Sequence, residues 1–166
     1  MRRGVKSALL ALLIGLATGT ATAGTAEALA ALARGDHKAA ATELSQLAAA
    51  GDADAQHQLA RLYLDGRGVE KNTARALELY RQAARGGDIS ARLELAEIYS
   101  EGEGVARDPG RAYFWYIVLD QTRSFAIRMY ADAARTALEE GTPDATRAQA
   151  RKDAAAWLAR HGEASK

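Results

Sequence analysis

The chain has 166 residues, 48% of them hydrophobic, 26% charged and 6% aromatic, with forty alanines, two prolines and no cysteine. Alanine has the highest intrinsic helix propensity and two prolines force few breaks, so this composition suits one small helical domain and argues against a β-sandwich, a collagen-like chain or a disordered polymer. Without cysteine there is neither a disulfide framework nor a Cys-ligated zinc site.

Residues 1–23 carry Arg2, Arg3 and Lys6, then the apolar run Ala8 to Ala17, then small residues ending Ala21-Thr22-Ala23. That order predicts a secretory signal peptide cleaved after Ala23, leaving Gly24 first. The apolar run is about half the length of a bilayer-spanning helix, so no stable membrane anchor is expected. No Phe-Leu follows Arg2-Arg3 and no cysteine stands at the cleavage site, which favours general secretion over twin-arginine export and excludes a lipoprotein anchor. Losing three of 22 basic residues leaves 19 against 21 acidic, a net charge near −2. No basic patch with interleaved aromatics remains, so nucleic acid is not expected as a partner. The predicted location is the periplasm or the exterior.

The remaining punctuation spells helices in chain order. A helix over 26–34 stops at Gly35; Asp36 caps a second over 37–50, which stops at Gly51. Asp52 caps a third whose apolar positions Ala55, Leu59, Ala60 and Tyr63 share one face, ended by Gly66 in a left-handed conformation, with Gly68 at a second unusual turn. Asn72 caps a fourth, with Ala76, Leu79, Tyr80, Ala83 and Ala84 inward, before Gly86. Further on, Asp108 caps a helix with Pro109 at its first position, where a missing N–H costs nothing. Helices over 123–140 and 144–160 follow, separated by Gly141-Thr142-Pro143.

Matches spaced 36 residues apart run through the middle of the chain: Gly51-Asp52/Gly87-Asp88, Ala55/Ala91, Leu59/Leu95, Ala60/Ala96, Tyr63/Tyr99, Gly66/Gly102, Gly68/Gly104, Val69/Val105, Ala76/Ala112 and Tyr80/Tyr116. A period of that length with helical patterning inside it signals a solenoid of stacked helix pairs. Four helical hairpins are expected, as a degenerate repeat over 26–51, repeats over 52–87 and 88–122, and a C-terminal capping hairpin over 123–166.

The runs Ala55-x-x-x-Leu59-Ala60-x-x-Tyr63-x-x-Gly66-x-Gly68-Val69 and Ala91-x-x-x-Leu95-Ala96-x-x-Tyr99-x-x-Gly102-x-Gly104-Val105 resemble the SEL-one-like repeat (SLR) family, a branch of the tetratricopeptide-like repeats. The similarity continues through Ala76-x-x-x-Tyr80-x-x-Ala83-Ala84-x-Gly86 and Ala112-x-x-Trp115-Tyr116, covering about residues 52–119. Ala60 and Ala96 stand where the family usually has Gly. The tail ending Ala154-Ala155-Ala156-Trp157-Leu158 looks like the terminal module of exported bacterial members. The resemblance implies an all-α, right-handed α-solenoid used for protein–protein contacts, commonly as an adaptor or regulator in the bacterial envelope. It implies no reaction and no cofactor. Some cysteine-rich exported relatives are linked to β-lactam or cell-wall binding, but this chain lacks cysteine and the Ser-x-x-Lys spacing of a lysine-assisted nucleophile.

The candidate residues follow from the repeat. In stacked helix pairs the first helix of each pair lines the concave side. Asp54, His57, Arg61 and Asp65 form one stripe there, and Ser90, Leu93, Glu97 and Glu101 form its equivalent in the next repeat. Arg61 beside Glu97 would give a mixed-charge groove for an extended segment or helix of a protein or peptide partner; an ordinary solvated helix face is the plainer reading. His37, His57 and His161 lack metal-ligand spacing; Asp54 and His57 lie one turn apart, but no third ligand is evident, so no metal is assigned. The Gly66-x-Gly68 and Gly102-x-Gly104 pairs lack the rest of a phosphate loop and read as inter-helix turns. Six of ten aromatics, Tyr113, Phe114, Trp115, Tyr116, Phe125 and Tyr130, crowd the C-terminal part. They read first as the cover over the last repeat, with Phe114, aligned with polar Glu78, the one most suited to a second surface. The readings are thus an exported non-catalytic interaction module, or alternatively a cell-envelope enzyme or peptidoglycan-associated factor with a cleft near the aromatic cluster, or a subunit that dimerises there.

Overall fold

Asp36, Asp52, Asn72, Asp88 and Asp108 each accept a hydrogen bond from the backbone N–H three residues on, at 2.5–3.1 Å. Each satisfies one of the orphan donors of a helix start. In the computed structural model, which describes residues 24–162, these caps open α2 (His37–Ala49), α3 (Ala53–Asp65), α4 (Thr73–Arg85), α5 (Ile89–Glu101) and α6 (Pro109–Leu119). Helix α1 (24–33) precedes them, and α7 (Phe125–Glu139) and α8 (Asp144–His161) follow. The expected signal peptide, residues 1–23, lies outside the described residues. Among those described there is no strand, and no helix is long and apolar enough to cross a membrane.

The helices stack in sequence, α2 on α3, α3 on α4, α4 on α5 and α5 on α6, an all-α solenoid. Its core is alanine-rich: Ala60, Ala76, Ala83, Ala84, Ala96 and Ala112 are fully buried, and Leu79, Tyr80, Leu95 and Ile98 fill the space between them. Small residues at the crossings let helix axes approach, and each large side chain buried contributes roughly 2 kcal/mol of apolar transfer. Ala60 and Ala96 show no exposure at all, so the methyl group fits where a glycine would also fit.

Helices α3 and α5 end on Gly66 and Gly102 in the left-handed region, as expected. Gly68 does more than turn. Its φ is +70°, and a Cβ there would stand 2.2 Å from the His37 carbonyl carbon, so the α3–α4 loop rests backbone to backbone on the start of α2. Gly104, one period on, instead meets the Thr73 side chain at the start of α4, where a Cβ would stand 2.7 Å from Oγ1. Gly86 closes α4 as expected; it does so in the right-handed region, and the left-handed residue is Gly87 at φ +95°.

A second repeated device closes the other end of each pair. Gln56 Nε2 donates to the Ala48 carbonyl at 3.1 Å, and Arg92, 36 residues later, donates from Nε and Nη2 to the Ala84 carbonyl at 3.2 and 3.1 Å. A helix leaves its last carbonyls without partners, and here a buried side chain of the next helix supplies one.

The C-terminal part departs from the expected capping hairpin. Helix α7 begins at Phe125 behind a Ser124 cap rather than at 123, and α7 and α8 each pack on α6 rather than chiefly on one another. They meet at Glu139, which accepts a bond from the Tyr113 hydroxyl at 3.0 Å and pairs with Arg147 and Arg151. The reason is visible in α6: Phe-Trp-Tyr offers apolar surface on two sides, so one helix covers Tyr116 and the other covers Trp115.

Candidate interaction surfaces

The two concave stripes are not exposed throughout. Asp54, Arg61, Asp65, Ser90 and Glu101 are exposed, but His57 is only 7% exposed and Leu93 is half-buried against the core. Among the described residues no ion pair joins Arg61 to Glu97. Glu97 instead accepts a hydrogen bond at 2.8 Å from the hydroxyl of Tyr130 on α7. That donation, with burial, raises the Tyr130 pKa. Sequence spacing could not show that α7 lies across this face and takes Glu97 for itself.

Phe114 is half-buried, and it divides two grooves. Its ring stands edge-on to Trp115 at 4.9 Å and to Trp157 at 6.5 Å. On one side a groove of about 550 Å³ runs between α6 and α8, lined by Asp108, Gly110, Arg111, Phe114, Ala145, Thr146, Gln149, Ala150 and Asp153. It exists because α8 comes close at Gly110, where a Cβ would stand 2.8 Å from Thr146 Cγ2. On the other side a groove of about 280 Å³ is lined by Arg81, Arg85, Phe114, Trp115, Trp157, Arg160 and His161. It is walled by indoles and edged by three guanidinium groups, of which Arg81 pairs with Glu78 at 3.9 Å. No serine, cysteine or lysine lines either groove.

The arginines are partly fixed. Arg81 Nη2 donates to the Tyr99 hydroxyl at 2.6 Å, Arg160 Nε donates to the Ala156 carbonyl, and His161 packs on Trp157 with ring centroids 4.7 Å apart. Arg111 lies over the Tyr99 ring at 5.3 Å. Arg92, buried beneath, lies over Trp157 at 5.1 Å and so ties α8 to α5.

His57 belongs to a different grouping. The pair Asp54 and His57, which lacked a third donor in sequence, meets Asp88 from the cap of α5, and one potential ligand atom from each lies within 4.8 Å of the others. In sequence Asp88 is only the repeat match of the cap Asp52; in the structure it caps α5 and also faces α3, a consequence of α4 returning the chain. The His57 ring sits 5.7 Å from that of Tyr80, whose hydroxyl is buried without a partner and whose pKa is raised by burial.

Sequence reading also missed an exposed apolar strip on α7. Phe125 is 69% exposed and Met129 54%, one helical turn apart. Phe125 therefore does not help cover the last repeat.

A repeating α-solenoid with grooves at its C-terminal end is a binding scaffold in architecture. Residues 53–88 and 89–117 match the Sel1 repeat family, so the middle of the chain carries two Sel1 repeats. Among solved structures it is similar to c5321, a protective antigen present in uropathogenic Escherichia coli strains that displays an SLR fold. There the identity is 27% and the TM-score 0.76, over 90% of this chain and 32% of that one. It is also similar to a Sel1 repeat protein from Oxalobacter formigenes, at 25% identity and TM-score 0.53 over 78% of this chain and 51% of that one. The chain thus spans about a third and about half of the lengths of these proteins. No curated protein sequence matches it. Sel1 repeats are in general non-catalytic scaffolds for protein–protein interaction.

Proposed function

We propose that this chain is an exported, non-catalytic adaptor or regulator that binds a segment of another protein in the two grooves beside Phe114. The observation that carries this reading is the pairing of an apolar groove with a cationic, indole-walled one across a single aromatic ring. Binding energy concentrates where apolar anchors enter well-packed pockets, whereas exposed rim charges contribute little. The partner this suits is an extended peptide with an apolar side chain for the α6–α8 groove and a carboxylate for Arg81, Arg85 and Arg160. The concave stripe, reduced to Asp54, Arg61, Asp65, Ser90 and Glu101, offers charge without such an anchor. Export to the periplasm or exterior rests on the n-region, apolar run and A-x-A order of residues 1–23.

The test compares two variants in the producing cell by crosslinked yield of partner, with melting curves of the purified proteins as control. Phe114→Ala should abolish capture. Arg61→Glu with Asp65→Lys, both exposed, should leave it intact and change stability by no more than about 0.5 kcal/mol. The opposite pattern would move binding to the concave face. Turnover of cell-wall or β-lactam substrates by the purified chain would contradict the non-catalytic reading.

A further inference from the structure

We infer that Asp54, His57 and Asp88 form a binding site for a divalent transition-metal cation that clips one repeat to the next. Three ligand atoms, an imidazole nitrogen and two carboxylate oxygens, lie within 4.8 Å of one another. His57 is held there by burial, at 7% exposure, and its Nε2 is buried without any hydrogen-bond partner. A buried imidazole with an unsatisfied nitrogen is costly, and a histidine serving only to fill the core could be replaced by the leucine that stands one period on at 93.

The two carboxylates add a second cost. Like charges this close repel, and among the described residues neither Asp54 nor Asp88 forms an ion pair. Asp88 Oδ1 is taken by the Ala91 N–H at 2.5 Å, which orients the carboxylate from the cap and leaves its other oxygen for a cation. The nearest buried cation, Arg92, spends Nε and Nη2 on the Ala84 carbonyl.

The ligand set selects the ion. Imidazole with two carboxylates suits zinc and its first-row neighbours, whereas calcium and magnesium take oxygen ligands alone. Metal–ligand bonds of about 2.0–2.2 Å put the donors of a tetrahedral site about 3.3–3.5 Å apart. Exposed Asp54, at the first turn of α3, is the arm free to rotate inward and close that gap. Asp54 and His57 belong to one repeat and Asp88 to the next, so the ion would bridge α3 to the start of α5. The site does not recur with the period, because Ser90, Leu93 and Ser124 stand at the equivalent positions. Repeat architecture alone therefore does not call for it.

The experiment uses the full chain without an affinity tag, titrated with zinc by calorimetry and melted with and without it. One equivalent should bind, and a hundredfold excess over Kd should raise Tm by about 5 °C or more. Asp54→Asn, a surface change that leaves the core untouched, should weaken zinc by about tenfold or more and remove the Tm rise. His57→Gln should do the same. No rise in the wild-type chain, an unchanged rise in Asp54→Asn, or an equal rise with calcium would each overturn the site.

Discussion

Arg81 Nη2 on α4 donates 2.6 Å to the hydroxyl of Tyr99 on α5, and the residue one period before Arg81 is Ser45, too short to reach Tyr63. The consequence is structural. Tyr99 is 2% exposed, whereas Tyr63 is half-buried beside a gap of about 100 Å³ that Ser45, Arg75 and Leu79 help to line. The two tyrosines match in sequence but not in packing, because the preceding repeat supplies an arginine to the Tyr99 hydroxyl and only a serine beside Tyr63.

Substitution should separate them. Tyr99→Ala should cost about 3–5 kcal/mol, the range for a large buried side chain, and Tyr63→Ala about 1–2 kcal/mol, since that ring is only partly withdrawn from water. Ser45→Arg should add the missing donor and raise stability by about 0.5–1 kcal/mol. Urea titrations of the three variants read this directly, and equal losses for the two tyrosines would show that the gap beside Tyr63 has no energetic meaning.

Gly68→Ala should be severe for so small a change. The methyl group meets backbone 2.2 Å away at a φ of +70°, so both strain and overlap apply, and a loss of about 3 kcal/mol is expected. Gly141→Ala, where a Cβ meets nothing within 4 Å, is the control and should stay within about 0.5 kcal/mol. Thermal melts of the pair decide it.

Arg92 is a buried cation whose job is to satisfy a carbonyl and to carry Trp157. Arg92→Gln should retain the bond to Ala84, as Gln56 does with Ala48, and cost about 1 kcal/mol, while Arg92→Ala should cost about 2–4 kcal/mol. Indole fluorescence should shift to longer wavelength in both variants as Trp157 loses its guanidinium cover. An unchanged spectrum would place the tie between α5 and α8 elsewhere.

Burial raises the pKa values of Tyr80, Tyr113 and Tyr116. A group that holds its proton more tightly when folded contributes stability that is fully present below its unfolded pKa, about 10 for tyrosine, and is lost as pH rises through the folded value. The denaturant midpoint should therefore fall between pH 9 and about 11. Tyr80→Phe should blunt that fall and, by removing a hydroxyl buried without a partner, leave stability at pH 7 unchanged or higher. A midpoint independent of pH over this window would contradict it.

The solenoid was legible because its signals are local. Caps, left-handed glycines and the 36-residue period each need only neighbouring residues, and Asn72, Asp108 with Pro109, and Gly66 all fall where the spacing put them. The surfaces were not legible, because they depend on where α7 and α8 return. Glu97 reads as a free carboxylate until Tyr130 arrives 33 residues later, and Asp88 reads only as the repeat match of Asp52 until it faces His57. Phe114 was visible as an aromatic out of register, but the grooves on either side exist only once α8 lies across α6 at Gly110.

The central claim is that partners dock beside Phe114. A photo-crosslinking residue placed at Gln149, on the rim of the α6–α8 groove, and separately at Asp65, on the concave stripe, tests it in the producing cell. The account predicts a discrete crosslinked product from Gln149, lost on adding Phe114→Ala, and none from Asp65. A product from Asp65 alone would contradict it.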